Sequence, residues 1–165
     1  SGSGRQGEKY EQTGVLAASL GLEESDDAYK AGYTVYDMME PVEGRLVTMF
    51  GEVEAGAGMW KMHNGIDISV DGISDVRAVM DGMVTEAGSS PGYGRYIKVQ
   101  HEDGLVTVYA NCSSITADLN DIVKKGDVIA GVGGESVPGG SHLHFEVWHN
   151  DAPVDPLDYV NIAFR

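Results

Sequence analysis

The sequence predicts an all-β fold, a sandwich or barrel of short antiparallel strands with little helix. From residue 45 onward, short apolar-rich runs alternate with polar residues, which is the period-two pattern of strands with one buried face. Glycine-containing turns separate these runs at intervals of about 8–12 residues, a spacing typical of sandwiches and barrels. Helix-forming composition is found at residues 14–20, and one helical turn is predicted at 155–159. The predicted strands are residues 46–50, 66–70, 76–80, 83–87, 96–101 and 105–110.

Turn signals connect the predicted strands into hairpins. Residues 102–104, Glu-Asp-Gly, predict a turn between the last two of these strands. A second hairpin is predicted over residues 122–129, ahead of a strand that carries two histidines. Residues 51–62 contain three glycines and predict a mobile loop beside the candidate site that follows.

Residues 141–146, Ser-His-Leu-His-Phe-Glu, form the first part of that candidate site. The apolar residues at 143 and 145 alternate with His142 and His144, so the two histidines share one face of a strand and point away from the core. Their backbone positions are about 6–7 Å apart, so one imidazole can bind a metal ion while the other places a base beside it. The alternative interpretation is two solvated histidines on an outer face.

Residues 63–67, His-Asn-Gly-Ile-Asp, favour the metal interpretation. Imidazole and carboxylate are common zinc ligands, with donor atoms held about 2 Å from the ion. In a straight strand His63 and Asp67 lie about 13 Å apart, so a shared ion requires a bend. The dipeptide at 64–65 predicts one, because asparagine and glycine both tolerate positive φ. With one of the paired histidines, three protein ligands then leave a position open for water, as in catalytic zinc sites.

These two motifs, with a Tyr-Ala segment at 109–110 between them, resemble the lysostaphin/LytM-type zinc metallopeptidases, which are peptidoglycan endopeptidases. The resemblance implies a barrel-sandwich hybrid, also called a duplicated hybrid motif, with antiparallel sheets and short loops. It implies Zn²⁺ as cofactor, His63, Asp67 and His144 as its ligands, and His142 as the catalytic base. Supporting matches are Pro41 to Arg45, Phe50-Gly51, Asp81-Gly82, Gly92-Tyr93-Gly94, Lys125 to Asp127 and Pro153 to Pro156.

One position departs from the family pattern in a way that affects catalysis. The family has a second catalytic histidine in a Tyr-Ala-His-Leu segment, and this chain has Asn111 there. An amide donates a hydrogen bond but carries no proton for transfer near neutral pH. A positioned acid or base contributes about 10²–10⁴-fold and an oxyanion donor about 10²–10³-fold. The resemblance therefore implies intact zinc binding with weak or lost hydrolysis.

Two smaller departures lie near the expected substrate groove. Residues 72–76 read Gly-Ile-Ser-Asp-Val where the family has Gly-Thr-Pro-Val, and residues 138–141 read Pro-Gly-Gly-Ser where it has Ser-Thr-Gly-Pro. An altered catalytic set is similar to the stage II sporulation protein Q-like branch, whose LytM domains bind a partner protein. Two functions therefore stay open: a peptidoglycan metalloendopeptidase relative with weak or lost hydrolysis, and a non-catalytic module that docks a partner in a sporulation channel.

Several further residues are assigned by their place in the pattern. Gly92 and Tyr93 are expected to line the substrate groove, and Tyr109 is a weaker candidate for the same wall. His101 and His149 follow strands and are interpreted as surface histidines. Cys112 is the single cysteine and is interpreted as a small buried residue, which excludes an internal disulfide and a cysteine-cluster zinc site.

The charge of the chain restricts its partners. The 11 lysines and arginines against 26 aspartates and glutamates give a net charge of −15. This charge repels phosphate backbones, so we expect no nucleic acid partner. The expected partner is a peptidoglycan peptide or a protein, and a basic protein partner is compatible with the charge.

The chain is expected to hold one folded domain. Residues 1–40 are interpreted as an acidic lead-in or linker, of which 1–4 read as the remnant of an engineered linker. Residues 41–160 are interpreted as the LytM-type domain, and 161–165 as a C-terminal tail. No apolar run approaches about 18–20 residues, so no membrane span is expected in this sequence. The resemblance implies an extracytoplasmic location at the cell surface, in the cell wall or in an intermembrane space of a bacterium, with a membrane anchor in the native protein.

Overall fold

A computed structural model describes residues 11–13, 34–134 and 141–162. These residues form strands and one 3₁₀ turn, with no α-helix among them. The predicted helical stretch 14–20 and the loop residues 135–140 lie outside the described residues. The strands are β1 (Glu11–Thr13), β2 (Thr34–Tyr36), β3 (Arg45–Thr48), β4 (Gly51–Gly56), β5 (Met59–His63), β6 (Ile66–Val70), β7 (Ile73–Arg77), β8 (Gly82–Ser90), β9 (Gly94–Gln100), β10 (Leu105–Cys112), β11 (Ser114–Ile115), β12 (Ile122–Val123), β13 (Val128–Gly133), β14 (Ser141–His149) and β15 (Ala152–Val154), followed by the 3₁₀ turn Pro156–Asp158.

Two antiparallel sheets enclose the core. The larger sheet has the order β12-β8-β9-β10-β14-β6-β3, with β15 beside β14. The smaller sheet has the order β11-β13-β7. Strands β4 and β5 form a separate hairpin, and β1 pairs with β2 in parallel. The prediction of an all-β fold with antiparallel sheets and little helix is confirmed.

Strands β6 and β14 show how the sequence produces this packing. Burial alternates along β6, where the apolar residues at 66, 68 and 70 are buried and the polar residues between them are half-buried. Leu143 and Phe145 of β14 are fully buried. The two strands pair in antiparallel register, with His144 opposite Asp67. Burying one apolar face of each strand therefore puts their polar residues together on the other face.

The strand predicted at residues 76–80 lies three residues earlier in the structure, at residues 73–77. The strand β7 is Ile73–Arg77 and pairs with β13, although Ile73 is exposed. Ala78 and Val79 are buried but lie outside any strand, and their amides donate to Asp127 O at 2.9 Å and to the Tyr109 hydroxyl at 3.1 Å. The apolar run at 76–80 therefore indicates that these residues are buried, but it does not indicate a strand. A buried connection between strands has the same apolar composition as a buried strand.

Two predicted loop features were wrong and one was confirmed. Strands β12 and β13 do not form a hairpin, because β12 pairs with β8 in the larger sheet and β13 with β7 and β11 in the smaller one. The turn at 124–127, closed by a 2.9 Å bond from the Asp127 amide to Lys124 O, passes the chain between the sheets. The stretch 51–62, predicted as a mobile loop, is mostly the β4–β5 hairpin. The turn at 102–104 is present between β9 and β10.

Both ends of the described domain pack onto its core. Tyr36 is buried and stacks on Tyr159 with ring centroids 5.9 Å apart. Ile162 is also buried in the core. The predicted turn near 155–159 is present, with Asp155 accepting a 3.0 Å hydrogen bond from the Leu157 amide. Nowhere in the described residues is there a helix of the length and apolarity needed to cross a membrane.

Candidate metal centre

Strands β5, β6 and β14 bring together the three predicted metal ligands. His63 ends β5, Asp67 lies on β6, and His144 lies opposite Asp67 on β14. One ligand atom from each lies within 4.8 Å of the others. The Asp67 carboxylate is 3.4 Å from His63 Nε2 and 3.0 Å from His144 Nδ1. Two imidazoles and a carboxylate at these distances fit the donor set of a zinc ion with an open position.

The bend between β5 and β6 depends on a close approach to β14. Neither Asn64 nor Gly65 has positive φ, so the reason given for the bend from the sequence was wrong, although the bend is present. A Cβ at Gly65 would lie 2.3 Å from the Phe145 carbonyl oxygen and 2.8 Å from Glu146 Cγ. Glycine is therefore required here because the backbone passes directly against β14.

A hydrogen bond also orients His63. Its Nδ1 lies 2.8 Å from the carbonyl oxygen of Met49, between β3 and β4. The imidazole donates through Nδ1 to that carbonyl, which leaves Nε2 facing Asp67 as an acceptor. The Met49 carbonyl thus selects the tautomer that a metal ligand needs.

Glu146 orients the third ligand and was missed from the sequence. Its Oε2 lies 2.8 Å from His144 Nε2, and its Oε1 accepts hydrogen bonds from the Tyr93 hydroxyl at 2.8 Å and Trp148 Nε1 at 2.7 Å. Glu146 is only 3% exposed, so these contacts replace its hydration. A carboxylate on the outer nitrogen of a histidine fixes the ring so that the other nitrogen faces the metal. The period-two pattern contained the signal, since Glu146 follows His142 and His144 on the same face.

The carboxylates around His144 set the charge state of the site. Burial alone lowers the pKa of His144, but its hydrogen bonds to Asp67 and Glu146 outweigh burial and raise that pKa to about 9. Burial raises the pKa of Asp67, whereas the hydrogen bond to His144 and the neighbouring imidazoles lower it, with a net decrease. The two carboxylates create a strong negative potential at the position of the His144 ring. Such a potential also favours a divalent cation.

The candidate metal centre opens into a groove of about 730 Å³. His142 lines the groove from the same face of β14 as His144. Asn111, near the end of β10, also lines the groove. The predicted groove residues Gly92 and Tyr93 also line it. The remaining wall residues are Thr48, Val53, Lys61, Ser90, Pro91, Gly94 and Ala110.

Asn111 occupies the groove in a left-handed conformation. Its φ is 63°, a value that asparagine and histidine adopt more readily than most residues. Its backbone amide donates to Tyr93 O at 2.8 Å, and its side-chain Nδ2 donates to His142 O at 2.8 Å. The side-chain amide of Asn111 therefore supports the backbone of His142 through a hydrogen bond. It does not act as an acid or a base near neutral pH.

Three other side chains predicted from the sequence have clear locations. Tyr109, a candidate for the groove, lies instead in the core, where it packs on Phe145 and its hydroxyl accepts from the Val79 amide. The alternation along β10 turns its ring inward. His101, predicted on the surface, is buried and bonds Asp81 O at 2.7 Å and Thr107 Oγ1 at 2.8 Å. Cys112 is buried as predicted, and burial raises its pKa to about 12.

The sequence of this domain matches a known protein family. The model of peptidase family M23 matches residues 61–156, which include all three candidate metal ligands and the groove residues from β8, β10 and β14. The chain belongs to peptidase family M23. The predicted resemblance to LytM-type metallopeptidases is thereby confirmed.

Relatives in the M23 family differ in what their names describe. The chain is 37% identical over 98 residues to the DD-carboxypeptidase/endopeptidase Mpg of Neisseria meningitidis, covering 59% of this chain and 23% of that protein. It is 30% identical over 156 residues to Stage II sporulation protein Q of Bacillus subtilis, covering 83% and 55%. It is 32% identical over 121 residues to the murein hydrolase activator NlpD of Escherichia coli, covering 73% and 30%. The chain thus spans from about a quarter to about half of the length of these relatives.

Solved M23 structures share the fold. The SpoIIQ-SpoIIIAH pore forming complex contains a chain that is 27% identical, with a TM-score of 0.65 over 76% of this chain and 91% of that one. The catalytic domain of lysostaphin from Staphylococcus simulans is 27% identical, with a TM-score of 0.59 over 69% and 90%. A zinc containing peptidase from Vibrio cholerae is 27% identical, with a TM-score of 0.59 over 72% and 38%.

Proposed function

We propose that this M23 domain binds zinc and the peptide portion of peptidoglycan, and that its hydrolytic activity is weak or lost. The observation that carries the proposal is the meeting of His63, Asp67 and His144 beside a groove that Asn111 also lines. The resemblance to LytM-type peptidases implies a catalytic histidine at the position of Asn111. We therefore expect the domain to bind zinc without efficient turnover, because all three donor residues are present and one of the two proton-transfer residues is not.

The residues around the candidate metal centre would have distinct roles. His63, Asp67 and His144 would hold a zinc ion, which would supply Lewis-acid polarisation of a substrate carbonyl. His142 lines the groove beside His144 and would accept a proton from an attacking water. Asn111 donates a hydrogen bond from its side-chain amide to the His142 backbone, and this amide neither gains nor loses a proton near neutral pH, so the second proton-transfer role lacks a residue.

Restoration of the family histidine tests this assignment. We expect Asn111→His to raise the hydrolysis rate of purified muropeptides by about 10²-fold or more, because a positioned acid or base contributes about 10²–10⁴-fold. Histidine tolerates the positive φ of this position. The assay measures released peptide by mass spectrometry with zinc supplied and with a chelator, and Asn111→Gln serves as a matched control without a titratable group.

Two results would contradict the proposal. The first is efficient zinc-dependent hydrolysis by the unaltered protein that His142→Ala abolishes, which would establish a complete enzyme. The second is a purified wild-type protein that retains no more zinc than His63→Ala does under the same conditions. This result would rule out the proposed zinc site.

A second candidate function is a non-catalytic module that docks a protein partner. It is favoured by the similarity to Stage II sporulation protein Q and to a chain of the SpoIIQ-SpoIIIAH pore forming complex, which cover most of this chain. In this function zinc stabilises the domain and Asn111 has no catalytic consequence. Co-purification from the native host of a stoichiometric protein partner, with no muropeptide binding in calorimetry, would favour the docking function.

We also propose an extracytoplasmic location, with a membrane anchor in the native protein. Support comes from the named relatives, which include a murein hydrolase activator and a DD-carboxypeptidase/endopeptidase. A fusion of the native protein to a reporter that is active only outside the cytoplasm tests the location.

A further inference from the structure

The β4–β5 hairpin presents one face to the groove. Side chains alternate between the two faces of a strand, and Val53 lies opposite Lys61 in the hairpin register. Val53, Lys61 and His63 all line the groove. Lys61 is therefore two residues from a candidate metal ligand on the same face of β5, about 6–7 Å away at the backbone.

The opposite face of the hairpin carries its two glutamates. Glu52 lies opposite Met62, and Glu54 lies opposite Trp60. None of these four residues lines the groove. The alternation of side chains therefore directs Lys61 away from Glu52 and Glu54. A shift of one residue in the pairing of β4 with β5 would have put Lys61 on the same face as these glutamates.

The other described lysines each have a carboxylate partner. The Nζ-to-carboxylate distances are 3.6 Å for Lys98 and Glu86, 3.9 Å for Lys124 and Asp81, and 2.8 Å for Lys125 and Asp37. Within the part of the chain that the structure describes, Lys61 makes no ion pair of this kind. Among the described lysines Lys61 is therefore the exception, in a chain with 26 acidic and 11 basic residues.

The groove therefore differs in charge from the rest of the molecule. Among the described residues that line it, Lys61 is the one lysine or arginine and Asp67 is the one carboxylate. Asp67 already contacts His63 and His144, and a metal ion bound there would more than offset its charge. The groove thus combines a cation-binding centre with a lysine ammonium in a protein of net charge −15.

We propose that Lys61 binds a carboxylate of the peptide that occupies the groove. This proposal rests on the proposed function, since it takes a peptidoglycan peptide as the ligand. Stem peptides offer a carboxylate at the C-terminus and at internal acidic residues, and the ammonium of Lys61 recognises both by the same charge-assisted hydrogen bond. Lys61 would thereby select anionic peptides and set their position relative to the metal centre.

The experiment measures the affinity of two pairs of synthetic stem peptides by isothermal titration calorimetry. One pair has a free or an amidated C-terminus, and the other has glutamate or glutamine at the internal acidic position. Each is titrated into zinc-loaded and into chelated protein. We expect the carboxylate member of one pair to bind about twofold to fivefold more tightly, as for a partly exposed ion pair, and the pair that shows the preference identifies the source of the carboxylate.

Two variants assign that preference to Lys61. Lys61→Met should lose the preference for the carboxylate member of the pair. Lys124→Met removes the same charge from a side chain outside the groove and should keep the preference. Thermal unfolding of both variants confirms that they fold.

Different outcomes overturn the inference and the proposed function. Equal affinity of wild type for both members of each pair, or a preference that survives in Lys61→Met, overturns the role of Lys61 while peptide binding stands. A preference lost equally in Lys124→Met attributes it to overall charge and also overturns that role. If none of the four peptides binds, the proposed function and the role of Lys61 both fail.

Discussion

At the residue scale, the candidate site depends on single positions that determine where a candidate ligand lies or how its ring is oriented. Gly65 permits the chain to pass against β14, and the Met49 carbonyl selects the tautomer of His63. The candidate ligands at 63, 67 and 144 could be proposed from the sequence, because imidazole and carboxylate groups are common zinc ligands. The requirement at Gly65 was predictable only in part, since sequence suggests a bend but does not show which backbone lies beside it.

Substitution of Gly65 tests this close approach. We expect Gly65→Ala to lower the free energy of unfolding by about 1–3 kcal/mol, because the added methyl overlaps the Phe145 carbonyl and the Glu146 side chain. Chemical denaturation measures the change. Gly88→Ala is the matched control, since a Cβ there meets nothing within 4 Å, and its stability should stay within about 0.5 kcal/mol of wild type. A wild-type stability for Gly65→Ala would show that the bend relaxes freely.

At the element scale, the register between strands places the functional side chains. Pairing of β6 with β14 puts Asp67 opposite His144, and the alternation along β14 adds Glu146 to the same polar face. The Tyr93 hydroxyl, from the turn between β8 and β9, then bonds Glu146 and connects a groove wall to a candidate metal ligand. The strand pattern of β14 was predictable, whereas its neighbours were not, because the partners come from distant parts of the chain.

Glu146 should determine the metal affinity of the site. We expect Glu146→Gln to weaken zinc binding by about 10- to 100-fold, since it replaces the carboxylate that orients His144. Competition with a chromophoric chelator measures the affinity, and the visible spectrum of the cobalt-substituted protein reports ligand geometry. Glu86→Gln is the matched control, because Glu86 also accepts a tyrosine hydroxyl bond, from Tyr96, but lies outside the site. Unchanged affinity and spectrum in Glu146→Gln would refute an orienting role.

At the scale of the whole molecule, a buried polar chain crosses between the sheets. His101 bonds Thr107, the hydroxyls of Thr107 and Tyr109 are 2.8 Å apart, and Tyr109 accepts from the Val79 amide beyond β7. Burial lowers the pKa of His101, and its contacts with Asp81 offset this only in part. The folded state therefore keeps His101 neutral at a pH where the unfolded chain becomes protonated.

Protonation of His101 should reduce stability in acid. Because its folded pKa lies below the ordinary value of 6.5, the stability it contributes is present above pH 6.5 and is lost as the pH falls below it. We expect His101→Gln to flatten the fall in unfolding free energy between about pH 7 and pH 5. His144, with its raised pKa, acts in the opposite direction from pH 6.5 to about 9 and is common to both proteins. Urea denaturation of chelated protein across this range measures the slopes.

His149→Gln provides the comparison for this measurement. His149 is partly exposed and bonds Asp103 O at 3.0 Å, so its replacement removes a histidine that lies outside the buried polar chain. If His101→Gln retains the full acid-dependent loss of stability, the titration belongs to another group.

The sequence by itself determined the fold class, the candidate ligand types and the presence of Asn111 where the family resemblance implies a histidine, because strand periodicity and donor chemistry are local properties of residues. Only the tertiary structure decided that Tyr109 and His101 are buried, that β12 and β13 belong to different sheets, and that Lys61 faces the groove. These features depend on which distant strands become neighbours, and the alternation of side chains along a strand does not specify the neighbour on either side.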